Sequence, residues 1–400
     1  MSAGAAVPRA GTIERRHLND IFAELCRIES PSGRERACAE RVTAELRGLG
    51  LAVEEDGAGA VTGSDCGNLL ARIPAAADTG GRRSLLLCAH LDTVPLQAEI
   101  EPVLVDGVWE NANPGILGAD NKAAIAVLLA LARHVSGEGA PVDVELLFTV
   151  GEEIALAGAG AFDVSRLRSD FGYVFDHASP IGEVVVASPS HFRIEASFHG
   201  AAAHAGIRPE TGRSAVLAAA RAIASMPLGR VDPESTVNVG TISGGTALNV
   251  VPEHCSLLAE VRGLDGARAE ALAAEVVDRV HQAANAPDCD CDVDVSVQRT
   301  FAGYRLPGGS PALAAAEAAL RACGHEPRRI STGGGSDANA LVAAGLETVN
   351  LANGTERNHE PGERVSVAAL EQMLDVALAL LDEAAALPGD PAALPGDPAR

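Results

Sequence analysis

Two short runs of this chain, residues 84–89 and 142–150, are apolar along most of their length, and a helix-length apolar stretch, residues 120–134, lies between them. A strand with no polar face needs cover on both sides, which a helix-covered sheet of parallel strands provides. A third short strand at residues 173–175 continues the alternation, so this part of the chain reads as an α/β sheet with helices on both faces. Upstream, Leu18, Ile21, Phe22, Leu25 and Ile28 recur at three- and four-residue steps. That spacing predicts an amphipathic helix from near Ile13, stopped by Ser30-Pro31-Ser32-Gly33. A second helix is expected over residues 35–49 and a short strand over residues 69–73.

The pattern changes near Ser188. Residues 191–199 alternate, residues 213–226 and 268–284 read as helices, and residues 236–243, 255–262 and 291–298 read as strands. This block is expected to be an α+β insertion with an antiparallel sheet, after which long helices return at residues 311–323 and 367–386. The expected domains are a discontinuous α/β catalytic domain, residues 1–187 and 301–386, and an inserted lid, residues 188–300. Residues 387–400 write one Pro- and Gly-rich heptad twice and read as a disordered tail. A chain of 400 residues with 47% hydrophobic content suits two cores.

Charge narrows the partners. With 54 acidic against 31 basic residues the formal net charge is -23, which repels nucleic acid and anionic membrane alike. The longest wholly apolar run, residues 123–132, is half of what a membrane span requires, and the first eleven residues lack the apolar centre of a secretory signal. The expected compartment is the cytoplasm. The eight cysteines are too scattered for a disulfide scaffold, and the one close pair, Cys289 and Cys291, reads as free thiols on a loop because a zinc knuckle needs a second pair.

Several motifs place metal-seeking donors at expected strand ends. In extended chain His90 and Asp92 point to the same side, so one could bind a cation while the other orients it. Asp120 precedes the apolar helix and could offer both oxygens to two cations. Glu152 and Glu153 would point oppositely in regular strand and can share a site only if the chain turns at Gly151. Asp176 ends the third strand, and His359 follows a strand-to-loop stretch far downstream. Taken singly, these are also what a capping aspartate or a solvated acidic turn looks like. Taken together they form a nitrogen and oxygen set suited to two zinc-like ions sharing one carboxylate.

Four stretches carry a resemblance: residues 89–95 (AHLDTVP), 118–122 (GADNK), 149–153 (TVGEE) and 358–360 (NHE). They resemble the co-catalytic di-zinc aminopeptidases, dipeptidases and deacylases related to peptidase T, in order and spacing from about Ile13 to Leu381. The block around His199–Gly206, residues 244–252 and residues 260–262 is similar to that family's lid, which often also forms a dimer interface. Residues 228–232 and 333–339 are most similar to the peptidase T-like branch. The resemblance implies a mixed-sheet di-zinc hydrolase fold in which Asp120 bridges the metals, His90 and Asp176 complete one site, and Glu153 and His359 the other. It further implies Glu152 as general base on a water between two Zn2+ ions, with Co2+ or Mn2+ also acceptable to these donors, and Asp92 holding the His90 imidazole. His204, in a homodimer through the lid, would reach a substrate carbonyl, with Asn249 and Arg262 at the substrate's polar end. The chain departs from the family in carrying Asn121 where a second acidic residue is common. By the same resemblance, Asp176 rather than a glutamate points to short peptides with a free amino end. A deacylase or carbamoylase of N-substituted amino acids, or a non-catalytic binding protein on the same fold, are the alternatives.

Overall fold

The computed structural model describes residues 9–76 and 83–387. The expected disordered tail therefore lies, from residue 388 onward, outside the described residues. Two compact units emerge: one combines the described residues up to Val186 with Leu306–Ser331 and those from Ser336 onward, and the other combines Ala187–Arg305 with Thr332–Gly335.

The first unit opens with helices α1 (Thr12–Cys26) and α2 (Arg36–Gly48), and α1 buries Leu18, Ile21, Phe22 and Leu25, the stripe its spacing predicts. Strands β1 (Val53–Glu55), β2 (Leu69–Ile73) and β3 (Leu85–His90) follow, then α3 (Ala119–Glu138), β4 (Val144–Thr149), β5 (Phe171–His177) and β6 (Glu183–Ser188). The chain then enters the second unit through β7 (Ser190–His199), α4 (Ala215–Ser225), β8 (Gly229–Asp232), β9 (Ser235–Gly244), β10 (His254–Gly263), α5 (Gly266–Ala284) and β11 (Asp292–Phe301). It returns for α6 (Pro311–Ala322), α7 (Asp337–Ala343), β12 (Thr348–Ala352) and α8 (Val367–Ala386).

The main sheet runs β1-β2-β4-β3-β5-β12-β6, extended at the β6 side by short strands. Its centre is parallel: β3 pairs in parallel with β4 and β5, and β12 pairs in parallel with β5. Antiparallel β2 and β6 flank it, which makes the sheet mixed. Every residue of β3, β4 and β12 is buried, so both faces of the centre are covered. The consequence for function is that β4, β3, β5 and β12 all deliver their carboxyl ends to one edge, where α/β folds bind ligands.

The second unit is an antiparallel sheet of order β8-β9-β10-β7-β11. Alternate residues of β7 and β10, among them Ile194, Phe198, Leu257 and Val261, pack with Ala218 and Ala222 of α4 and Leu272 and Val276 of α5 in one core. Cys289 and Cys291 belong to that core; the pair sits on a loop as expected, but buried. Among the described residues no helix is long and apolar enough to cross a membrane.

Leu87, in the middle of β3, has no exposure at all. Leu87→Ala is expected to cost about 2–5 kcal/mol through lost transfer energy and a residual cavity, read as a shift of the urea midpoint at unchanged slope.

Candidate metal centre

The carboxyl edge of the parallel strands gathers the predicted donors of the first unit. His90 is the last residue of β3, and Asp176 is the next to last of β5. After β4 the chain turns at Gly151, whose φ of 60° supplies the turn that Glu152 and Glu153 need in order to share a site. Asp120 lies at the start of α3, where residues 120 and 121 leave helical geometry and are joined by a cis peptide bond. His359 arrives on the loop after β12 with a φ of 67°, a left-handed conformation uncommon for a residue with a Cβ.

Asp120 stands at the centre of the cluster. Its Oδ1 is 3.3 Å from His90 Nε2, which is itself 3.7 Å from Asp176 Oδ1. Its Oδ2 is 3.2 Å from His359 Nε2, which is 2.9 Å from Glu153 Oε1. One carboxylate thus sends its two oxygens to two separate imidazole–carboxylate pairs. Ligands at about 2.0–2.1 Å from a tetrahedral zinc stand about 3.3 Å apart, so donors at these spacings could hold a cation between them. Donor atoms of His90, Glu152 and Asp176, and of His90, Asp120 and Glu153, also lie within 4.8 Å of one another, which sets Glu152 beside the cluster.

Buried carboxylates hold the two turns by their backbone. Asp92 does more than face His90 Nδ1 at 3.3 Å: it accepts from Glu152 N at 2.9 Å, Glu153 N at 3.1 Å and Ser32 Oγ at 2.7 Å. Glu35 accepts from Gly151 N at 3.1 Å, so three consecutive N–H groups of the acidic turn are caught by two carboxylates. Glu363 accepts from Leu117 N, Gly118 N and Asp120 N, each at 2.8 Å. Asp337, at the start of α7, takes the hydroxyl of Thr149 behind the site.

The electrostatics follow from crowding. Burial works against the charge of His90, yet Asp120, Asp176 and Asp92 hold its pKa well above the ordinary imidazole value. Burial would lift Asp120, but His359 and His90 outweigh it and hold the group below the usual carboxylate range. Burial, reinforced by Asp176, pushes Glu152 well up; burial and the charge of Asp120 do the same to Asp176. Burial, helped by the charge of Asp92, lifts Asp337 to about 6 against the pull of His90 and the Thr149 hydroxyl. Carboxylates that resist ionisation beside one another are suited to divalent cations, whose charge reverses that resistance.

Known proteins of similar sequence and structure identify the family. Residues 68–179 match peptidase family M28, and residues 188–287 match the peptidase dimerisation domain. The structure of aminopeptidase PepT from Bacillus cereus is 35% identical, covers 93% of this chain and 99% of its own, and superposes with a TM-score of 0.83. The chain belongs to the peptidase T-like metallopeptidases. A tripeptidase structure from Staphylococcus aureus is 30% identical over 93% of this chain and 99% of its own, with a TM-score of 0.87. The uncharacterized protein YqjE of Bacillus subtilis is 32% identical over 92% of this chain and 98% of its own length. This peptidase T-like chain is an enzyme, which removes the non-catalytic alternative, and its family is metal-dependent.

The remaining predicted residues of the peptidase T-like chain lie in the second unit. His204 bridges to Val250 and Ala205 N donates to Asn249 O at 2.9 Å, so His204 and Asn249 share one exposed corner ahead of β10. Arg262 is near the other end of β10, where Nε and Nη2 donate to Glu260 at 3.3 and 3.1 Å and Nη1 donates to Gly333 O at 3.2 Å. His134, which shows no obvious partner in sequence, is 2.5 Å from Glu14 and 3.4 Å from Glu138, an i,i+4 neighbour on α3 that helical spacing could have supplied. Glu35, Asp337 and Glu363 were not legible as site residues.

Asp120 and Glu153 push the pKa of His359 up to about 10 from an ordinary 6.5. In protein stripped of metal, the folded chain therefore binds a proton that the unfolded chain has lost. That stabilisation is complete below pH 6.5 and disappears as pH rises through about 10. Thermal unfolding of the chelated protein should show stability falling across this window, and His359→Ala should reduce the slope.

Proposed function

We propose that this metallopeptidase hydrolyses short peptides with a free amino end, as a tripeptidase or aminopeptidase, using two divalent cations held by the donors around Asp120. The observation that carries the reading is the division of the Asp120 oxygens between His90 with Asp176 and His359 with Glu153. Short peptides are favoured by the descriptions of the two solved relatives, an aminopeptidase and a tripeptidase, and by aspartate at position 176. When bound, two such cations acidify water and polarise a carbonyl, and zinc, cobalt and manganese all suit the donor types.

The chain's own residues supply the rest. Among the described residues no hydrogen bond or ion pair ties the Glu152 carboxylate, and burial, reinforced by Asp176, has raised its proton affinity. It would take the proton of the attacking water and deliver it to the leaving amine, the general base and then the general acid of one cycle. Asp92 would keep the His90 ring in one tautomer and keep Glu152 aimed through the backbone bonds at residues 152 and 153. His204, Asn249 and Arg262 would face the substrate in a homodimer formed through the second unit. All eight cysteines are free thiols, which supports a reducing, cytoplasmic setting.

Glu152→Gln is expected to lower kcat at least 100-fold while metal content stays at about two equivalents, since the residue moves protons rather than completing the donor set. A panel of one tripeptide in free, N-acetylated and C-amidated forms, with N-acyl and N-carbamoyl amino acids, tests the substrate class. Cleavage of the free and C-amidated forms alone supports the aminopeptidase reading. Cleavage of the acylated or carbamoylated compounds alone moves the function to deacylase or carbamoylase. Sedimentation of the active enzyme should show a dimer, and a fully active monomer would exclude a partner role for His204.

A further inference from the structure

Glu363 is buried to 1% exposure, four residues beyond His359 on the same loop, and Glu363 N closes that loop on Glu360 O at 3.1 Å. Both carboxylate oxygens are committed: Oε2 to Leu117 N and Gly118 N, Oε1 to Asp120 N, all at 2.8 Å. The turn ahead of α3, with Gly118 at a φ of 74°, thus directs three N–H groups at one carboxyl group. The same loop reaches Asp120 a second time, because Asn358 Nδ2 donates to Asp120 Oδ2 at 2.8 Å. Asp120 is therefore held at its backbone and at its carboxylate by the segment that carries His359.

We propose that Glu363 is a positioning residue for the shared carboxylate. By fixing the turn at residues 117–120 it orients Asp120 so that one oxygen faces each donor pair, and it makes the two cation sites depend on one another. The inference rests on the two-cation reading above. A carboxylate is required because three donors converge on it: a glutamine would keep one acceptor oxygen and turn an NH2 group towards an N–H, leaving at least one buried donor without a partner. A glutamate that merely stabilised the fold would alter unfolding and leave cation affinity alone.

The test uses the full chain, stripped with a chelator and titrated with Co2+, whose visible spectrum reports coordination geometry. Wild type, Glu363→Gln and Glu363→Asp are compared at a temperature where circular dichroism shows each folded. Wild type is expected to take up about two equivalents. Glu363→Gln is expected to lose roughly 10- to 100-fold in cobalt affinity with a changed spectrum, and Glu363→Asp, which keeps the charge on a shorter arm, to lose less. Two equivalents in wild type, with unchanged affinity and spectrum in a folded Gln variant, overturn the positioning role and leave the two-cation reading standing. Fewer than two in wild type overturn that reading and the proposal with it. If the Gln variant does not fold, Asp decides alone: wild-type affinity and spectrum overturn the proposal, and weakened binding supports it.

Discussion

The physical constraint that organises this molecule is the crowding of like charge at one sheet edge. Asp92, Asp120, Glu152, Glu153 and Asp176 meet there with Asp337 behind them, and His90 and His359 bring the positive charge that the chain itself can offer. Carboxylates in a low-dielectric pocket repel strongly, so each must keep a proton, accept hydrogen bonds or share a cation. All three are visible. Glu152 and Asp176 are pushed towards the protonated form, Asp92 is saturated with donors, and Asp120 is kept ionised by two imidazoles.

The fold makes such crowding tolerable. Four parallel strands, buried along most of their length, deliver their carboxyl ends to one edge. The turns that carry Asp120 and the two glutamates cannot satisfy their own N–H groups, since neither is regular strand or helix. Glu35, Asp92 and Glu363 do so. Negative charge is thus used twice, in the carboxylates gathered at the sheet edge and in those that accept from the backbone behind them.

Much of this was legible in the sequence, and the rest was hidden for definite reasons. The buried strands, the alternating second unit and the helix stripe of Leu18, Ile21, Phe22 and Leu25 follow from periodicity. His90 with Asp92, and the need for a turn at Gly151, follow from strand geometry. A carboxylate that accepts backbone N–H groups leaves no local signature: Glu35 reaches Gly151 across 116 residues and Glu363 reaches Asp120 across 243. Asp337 sits in a glycine-rich stretch that reads as a turn, and what makes it notable, the Thr149 hydroxyl and burial, comes from another strand. Arg262 lies two residues beyond Glu260 on β10, so the strand spacing that pairs His90 with Asp92 also puts these two on one face, and Glu260 occupies two of the arginine's nitrogens.

The interruption of the first unit by the second has a consequence for how the protein is made. His90, Asp120, Glu153 and Asp176 lie before the insertion, whereas His359, Asn358 and Glu363 lie after it. A ribosome that has finished β5 has exposed four acidic and imidazole donors without the loop that orients Asp120 and closes the second pair. The growing chain therefore carries an incomplete hydrolase through the synthesis of the entire second unit. Competence to cleave peptides would arrive only once the loop that carries His359 has emerged.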